Sequence, residues 1–176
     1  VRERAGFYAV ATLAVVLLFL AMRGFDSRGH WNPAREVEPA RFETVDGEQR
    51  IVLRAGPSGH FFFQAEANGA PVRFMVDTGA SYVTLTESDA ERAGLRFSPE
   101  DFTLRFETAN GAVYAAGGTL DELRIGDAVI RTLAVVVVPD DKLGGSLFGV
   151  NGLNRFDRRE TTRDELVLTV EAAPQG

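Results

Sequence analysis

The chain has no cysteine, only two histidines (His30 and His60) and a single tryptophan, Trp31, in 176 residues. Without cysteine there is no disulfide and no thiolate zinc site, and two imidazoles are too few for a His-rich metal centre. No metal or other cofactor is therefore expected. The missing thiols are compatible with an oxidising compartment. An excess of positive charge is also lacking: 19 Lys and Arg face 25 Asp and Glu, for a net charge of −6. Nucleic-acid binders need a basic face, so no nucleic-acid partner is expected. Internal repeats and low-complexity segments are absent too. What remains is ordinary globular material, 45% hydrophobic and 25% charged, enough for one packed domain with a short appendage.

The appendage is N-terminal. Residues 5–22 carry no charge, and as a helix they would span about 27 Å, the thickness of a hydrocarbon core. A cleaved signal peptide and a buried core helix are the competing readings. The apolar run is long for a signal peptide, and Leu20-Ala21-Met22-Arg23 offers no small-x-small cleavage site. A buried core helix is the bland reading, but apolar residues run all the way round this one. Residues 1–23 are accordingly expected to form a transmembrane anchor, with membrane contact through residues 5–22. Arg2 and Arg4 before the span nearly balance Arg23, Arg28 and Arg35 after it. A large domain following a short tail usually crosses, which favours the domain outside. Residues 24–49, with Pro33 and Pro39 and no periodicity, read as a flexible tether. Trp31 in this tether is either an interfacial anchor or an aromatic packed loosely on the domain.

Residues 50–176 form the folded domain and are written in strand language. Asn68-Gly69 separates two apolar runs, 61–67 and 72–76, and Asn110-Gly111 separates 103–108 from 112–120. Gly126-Asp127 marks a third hairpin between 120–125 and 128–138, and 166–170 is a last strand. Thr86 can cap a short helix over 87–93 with Asp89 as its acidic partner and Gly94 as its stop, and 152–156 suits another turn. Such a pattern means a small all-β barrel or sandwich.

One sequence element carries chemistry: Phe74-Met75-Val76-Asp77-Thr78-Gly79-Ala80-Ser81. An acid directly after three apolar strand residues is costly unless partnered. Gly79 lets the chain turn tightly and aim its amide inward, and Ser81 or its amide is a second possible donor. The bare Asp-Thr/Ser-Gly triplet is weak, turning up by composition in about one chain in ten of this length. A structural aspartate capped in a turn is the bland alternative.

In its surroundings, this element resembles the active-site loop of retropepsin-like aspartic proteases. Leu147-Phe148-Gly149 is similar to the family's apolar-apolar-Gly element, which crosses beneath that loop and leads into a helix. Phe106 to Ala115, centred on Asn110-Gly111 and including Thr108 and Ala109, is similar to its substrate-covering flap hairpin. Together with Gly59-His60-Phe61, Asn68-Gly69 and Leu153-Asn154, these elements resemble the membrane-anchored, single-lobe bacterial proteases of that clan. The likeness runs from about residue 51 to 170. Asn151-Gly152 departs from it by standing where a bulkier pairing is expected, and residues 157–164 lengthen the tail before the last strand.

The resemblance implies a small closed barrel of the retropepsin type with one or two short helices, preceded by one transmembrane helix. It implies an aspartic endopeptidase acting on protein or peptide substrates, with Asp77 catalytic. Thr78, Gly79, Ala80 and Ser81 would shape the loop, Leu147, Phe148 and Gly149 would support it, and Thr108 to Gly111 would bind substrate. The chain supplies one Asp-Thr-Gly, so a homodimer joined on the active-site axis is expected to supply the second. The bacterial inner membrane with the domain on its periplasmic side is the expected location. A catalytically silent peptide- or strand-binding module on the same fold is the alternative. Elsewhere, Asp140-Asp141 reads as a solvated loop, Glu87 to Glu91 and Asp121-Glu122 as surface charge, and His60 as structural. A His60–Ser81–Asp77 triad is disfavoured because no Gly-x-Ser-x-Gly elbow exists.

Overall fold

The computed structural model describes residues 39–108 and 111–171. The expected anchor, most of the expected tether, and Ala109 and Asn110 of the expected flap tip lie outside the described residues. Among the described residues no helix is long and apolar enough to cross a membrane.

Two sheets build the domain. The first is four-stranded, in the order β1 (Arg41–Val45), β2 (Glu48–Arg54), β11 (Glu165–Glu171) and β10 (Arg158–Thr161), antiparallel throughout. Its inward face carries Ile51, Leu53, Leu166 and Leu168, all buried. Its outward face is ionic, with Arg158 on Glu48 at 2.6 Å and Arg41 on Glu165 at 3.2 Å. Bonds from Arg50 and then Arg158 hold the Glu48 carboxyl below its ordinary range.

The second sheet runs β3 (Phe62–Ala67), β4 (Ala70–Val76), β9 (Ser146–Phe148), β5 (Val83–Thr86), β8 (Ala128–Val138), β7 (Gly111–Ile125) and β6 (Leu104–Thr108). Pairing of β3 with β7 through Glu66↔Arg124 and Ala67↔Leu123 closes β3, β4, β9, β5, β8 and β7 into a ring. The expected closed barrel is this ring. Asn68 and Gly69 turn the β3–β4 hairpin with φ of 47° and 83°, the left-handed pair that a two-residue turn requires. The long strand β7 changes partner along its length, pairing with β6 up to Ala115 and with β8 from Ala116. Phe63, Phe74 and Phe148 meet inside the ring with centroids 5.1 to 6.0 Å apart.

The helices are short: α1 (Glu87–Arg92) and α2 (Val150–Leu153), with one 3-10 turn at Pro99–Asp101. Thr86 caps α1 as expected, its Oγ1 accepting the Asp89 N–H at 3.2 Å, and Gly94 follows with φ +80°.

Three differences from the sequence reading concern the fold. A strand, Arg41–Val45, lies inside the stretch read as tether, hinged on Asp46-Gly47 with φ of 52° and 83°. The lengthened tail contains β10, whose four residues are all exposed and so show no apolar alternation. Asp89, read as surface charge, is buried. Its carboxylate accepts the Ser146 hydroxyl at 2.5 Å and pairs with Arg92, tying α1 to the strand that leads into Phe148.

Candidate active site

β4 brings the chain up through the core, with Phe74 and Met75 buried, and releases it at Asp77. Asp77 is half-buried, while Thr78, Gly79 and Ser81 are exposed. The carboxylate after the apolar strand thus reaches the barrel's edge instead of being sealed inside. Gly79 donates its N–H to Asp77 Oδ1 at 2.8 Å. A Cβ on Gly79 would stand 3.1 Å from that same oxygen, so a side chain there would crowd the carboxylate. Ser81, named as a second donor, instead gives its carbonyl to the Asn151 N–H at 3.1 Å.

The loop is held from below. Strand β9 lies between the strand entering the loop and the strand leaving it: parallel to β4 through Val76↔Phe148, antiparallel to β5 through Thr84↔Leu147. Asp77 N–H donates to Phe148 O at 3.1 Å, and Val150 N–H donates to Ala80 O at 2.8 Å. Between those bonds sits Gly149, where a Cβ would lie 2.2 Å from Tyr82 O and 2.7 Å from Ala80 O. Both obstacles are backbone and cannot swing away. Leu147, Phe148 and Gly149 therefore lie beneath the loop.

Asn151-Gly152 was read as standing in for a bulkier pair, but the structure leaves no space for one. A Cβ on Gly152 would lie 2.6 Å from the Phe148 ring and from Val83. Asn151 itself reaches three separate backbone groups through its main chain and its amide, a part that sequence reasoning missed. The departure at that position was its one signal.

The other named residues sort cleanly. Thr108 and Gly111 face each other at the end of the β6–β7 hairpin. By register, Leu104 pairs with Ala115 and Phe106 with Val113, so these four share one face of the hairpin. Ala115 packs with Val136 and Val138 in a small cluster separate from the main core, with Val113 and Leu143 against it. Leu104 and Phe106 stay 43% and 38% exposed. His60 lies in the β2–β3 turn, its carbonyl accepting from Gly56 N–H at 2.8 Å. Asp140 is exposed in its loop as expected, and it accepts the N–H of Ser88 at 3.1 Å and also bonds the Ser88 hydroxyl, at the start of α1. These Ser88 bonds lower its pKa. Among the described residues no group of three or more His, Asp or Glu is placed to hold a metal.

A single-lobe β-barrel with an Asp-Thr-Gly loop seated on an apolar-apolar-Gly strand defines the retropepsin-like class of aspartic protease. Residues 63–151 match the aspartyl protease family, and the chain belongs to it. Its fold is similar to that of a retropepsin-like aspartic protease from Rickettsia conorii, with a TM-score of 0.64 and 31% identity over 76% of this chain and 97% of that one. Two curated relatives are an uncharacterised protein in the cobV 5′ region of a Sinorhizobium species and an uncharacterised protein of Rickettsia prowazekii. The first is 37% identical over 70% of this chain and 53% of its own length. The second is 36% identical over 73% and 54% respectively. The chain thus spans about half the length of the curated relatives it matches.

Proposed function

We propose that the chain is an aspartic endopeptidase whose catalytic dyad forms between the Asp77 residues of two copies. The observation that carries this reading is the Asp77 carboxylate itself. It stands half-buried at the barrel's edge, accepts one backbone N–H, and sits on a loop fixed through β9 and α2. Two carboxyls about 3 Å apart share one proton, because both cannot ionise at that distance. The ionised member takes a proton from a water molecule as its oxygen bonds to the scissile carbonyl carbon. The protonated member gives its proton to the carbonyl oxygen. The resulting gem-diol collapses with proton transfer to the departing amine, and no covalent bond to the enzyme forms. By the resemblance, Thr78 holds the two loops together across the two-fold axis.

The substrate is an extended peptide of about six to eight residues, bound as a strand between the β6–β7 hairpin and the loop. Residues 5–22 anchor the enzyme in the membrane, with the domain on the periplasmic side of a bacterial inner membrane. Sharing one membrane raises the effective concentration of the two halves of the dimer.

The test is incubation of the full chain and its Asp77→Asn variant with a diverse peptide mixture between pH 4 and 8, read by mass spectrometry. Cleavage by the wild type alone, stronger in mild acid than at pH 8, is expected. Peptide capture without cutting, unchanged in the variant, would mean a strand-binding module instead. Accessibility of residues on either side of 5–22 to a membrane-impermeant label in intact cells tests the orientation, and labelling of the domain only after lysis would refute it.

A further inference from the structure

We infer that Asn151 is a positioning residue for the Asp77 loop, an inference that rests on the peptidase reading above. Its main-chain N–H donates to Ser81 O at 3.1 Å. Its side-chain Oδ1 accepts the Val83 N–H at 2.6 Å, and its Nδ2 donates to Ala134 O at 2.7 Å. One residue thus joins three pieces of backbone: the loop after Asp77, the first residue of β5, and the middle of β8.

Each end of this link matters for a separate reason. Val83 is fully buried, so water does not replace a lost partner for its N–H. Ala134 lies just beyond the β5–β8 ladder, which begins at Val83↔Val135. Asn151 supplies the partner that the next strand residue would have provided. Arg155 repeats the device two residues further along, its guanidinium donating to Thr132 O at 3.1 Å. Thr132 holds φ +52°, a conformation that a β-branched residue rarely adopts. α2 and the turn after it therefore stand in for a strand along β8, and they register the Asp77 loop to the barrel wall as well as to β9.

The residue type follows from the two bonds. A planar amide of this length presents an acceptor and a donor together at every pH, whereas an ionised carboxylate offers acceptors alone and an aliphatic chain neither. Asn151 acts through the Ser81–Val83 segment, which closes the loop that begins at Asp77. In catalysis a displacement of about 1 Å costs roughly a hundredfold in rate.

The test compares the full chain with Asn151→Ala and Asn151→Asp on a peptide that the wild type cuts. The Ala variant is expected to lose about ten- to a hundredfold in kcat while KM moves less than about threefold. The Asp variant is expected to fail when ionised, because it then points a lone pair at Ala134 O. It should recover relative to wild type as pH falls, because a protonated carboxyl again has a donor and an acceptor. Taking the ratio to wild type at each pH isolates the change made at position 151, whose charged neighbour after α2 is Arg155. Amide hydrogen exchange reads the same link without catalysis: Val83 and Gly79 should exchange about tenfold faster in the Ala variant, and the β7–β8 amides should not. An unchanged kcat, a pH-independent ratio for the Asp variant, or unchanged Val83 and Gly79 exchange would each overturn the inference. Cleavage that persists in Asp77→Asn would instead overturn the peptidase reading and leave the exchange result to decide the structural link.

Discussion

The Asp77 loop and the β6–β7 hairpin are built to opposite specifications. Under the loop, Phe148 is fully buried among Phe63, Phe74 and Phe156, and Gly149 is so hemmed in by backbone that no side chain fits. The hairpin rests on a small separate cluster around Ala115, Val136 and Val138, and it leaves Leu104, Phe106 and Tyr114 exposed. The loop holds a carboxylate in one place, which catalysis by position requires. The hairpin displays apolar side chains with little packed behind them, as suits a surface that meets a ligand. Packing is dense beneath the carboxylate and sparse behind the hairpin.

This contrast can be broken at the loop first. Gly149→Ala places a methyl 2.2 Å from the Tyr82 carbonyl oxygen; with backbone on both sides, a loss of about 3 kcal/mol or failure to fold is predicted. Urea denaturation of the full chain measures it, and a variant within about 0.5 kcal/mol of wild type would show that the loop gives way easily. Phe148→Ala comes next, at about 3–5 kcal/mol, since it empties the centre of the aromatic cluster. A cost under about 1 kcal/mol would mean that the cluster collapses to fill the space.

The hairpin should answer differently. Phe106→Ser is predicted to change stability by less than about 1 kcal/mol, because the ring is already 38% exposed. Under the peptidase reading the same change should raise KM several-fold. A large stability loss with KM unmoved would make Phe106 a structural residue and erase the contrast.

The smallest effect is one of pH. Bonds from Ser88, first from its hydroxyl and then from its backbone N–H, lower the pKa of Asp140 from an ordinary value of 3.8. A lowered folded-state pKa contributes stability that is present above about pH 4 and is lost as pH falls through the folded value. Asp140→Asn should therefore show a slightly lower Tm than wild type at pH 6, with the gap closing below pH 4. Asp140 is exposed, so screening keeps the effect small. A gap that widens in acid would reverse the sign and refute the assignment.

Where the fold was legible in the sequence, the signal was local. Asn68-Gly69 and Gly126-Asp127 announce their hairpins because few other residues adopt positive φ, and Thr86 announces α1 because the cap lies three residues from its donor. Asp77-Thr78-Gly79 was legible through its setting, the apolar strand before it and Leu147-Phe148-Gly149 after it. What stayed hidden was relational. Arg158–Thr161 carries no apolar alternation, because both faces of β10 meet water, so only its pairing with β11 makes it a strand. Arg41–Val45 did have an Asp-Gly turn beside it, a signal left unused when the charged, proline-containing stretch was read as a tether. Asp89 looked like helix-surface charge until Ser146, 57 residues away, was brought against it. Asn151 reaches Val83 across 68 positions, a bond that no window of sequence displays.

The central claim, that each active site takes one Asp77 from each of two copies, is tested most directly by subunit mixing. A fixed amount of wild-type chain is equilibrated with increasing Asp77→Asn chain, and cleavage of one peptide is followed. The account predicts that activity falls as the variant draws wild-type chains into mixed dimers, in proportion to the wild-type fraction once exchange is complete. Activity that stays constant however much variant is added would mean that one chain is sufficient, and the dyad would be wrong.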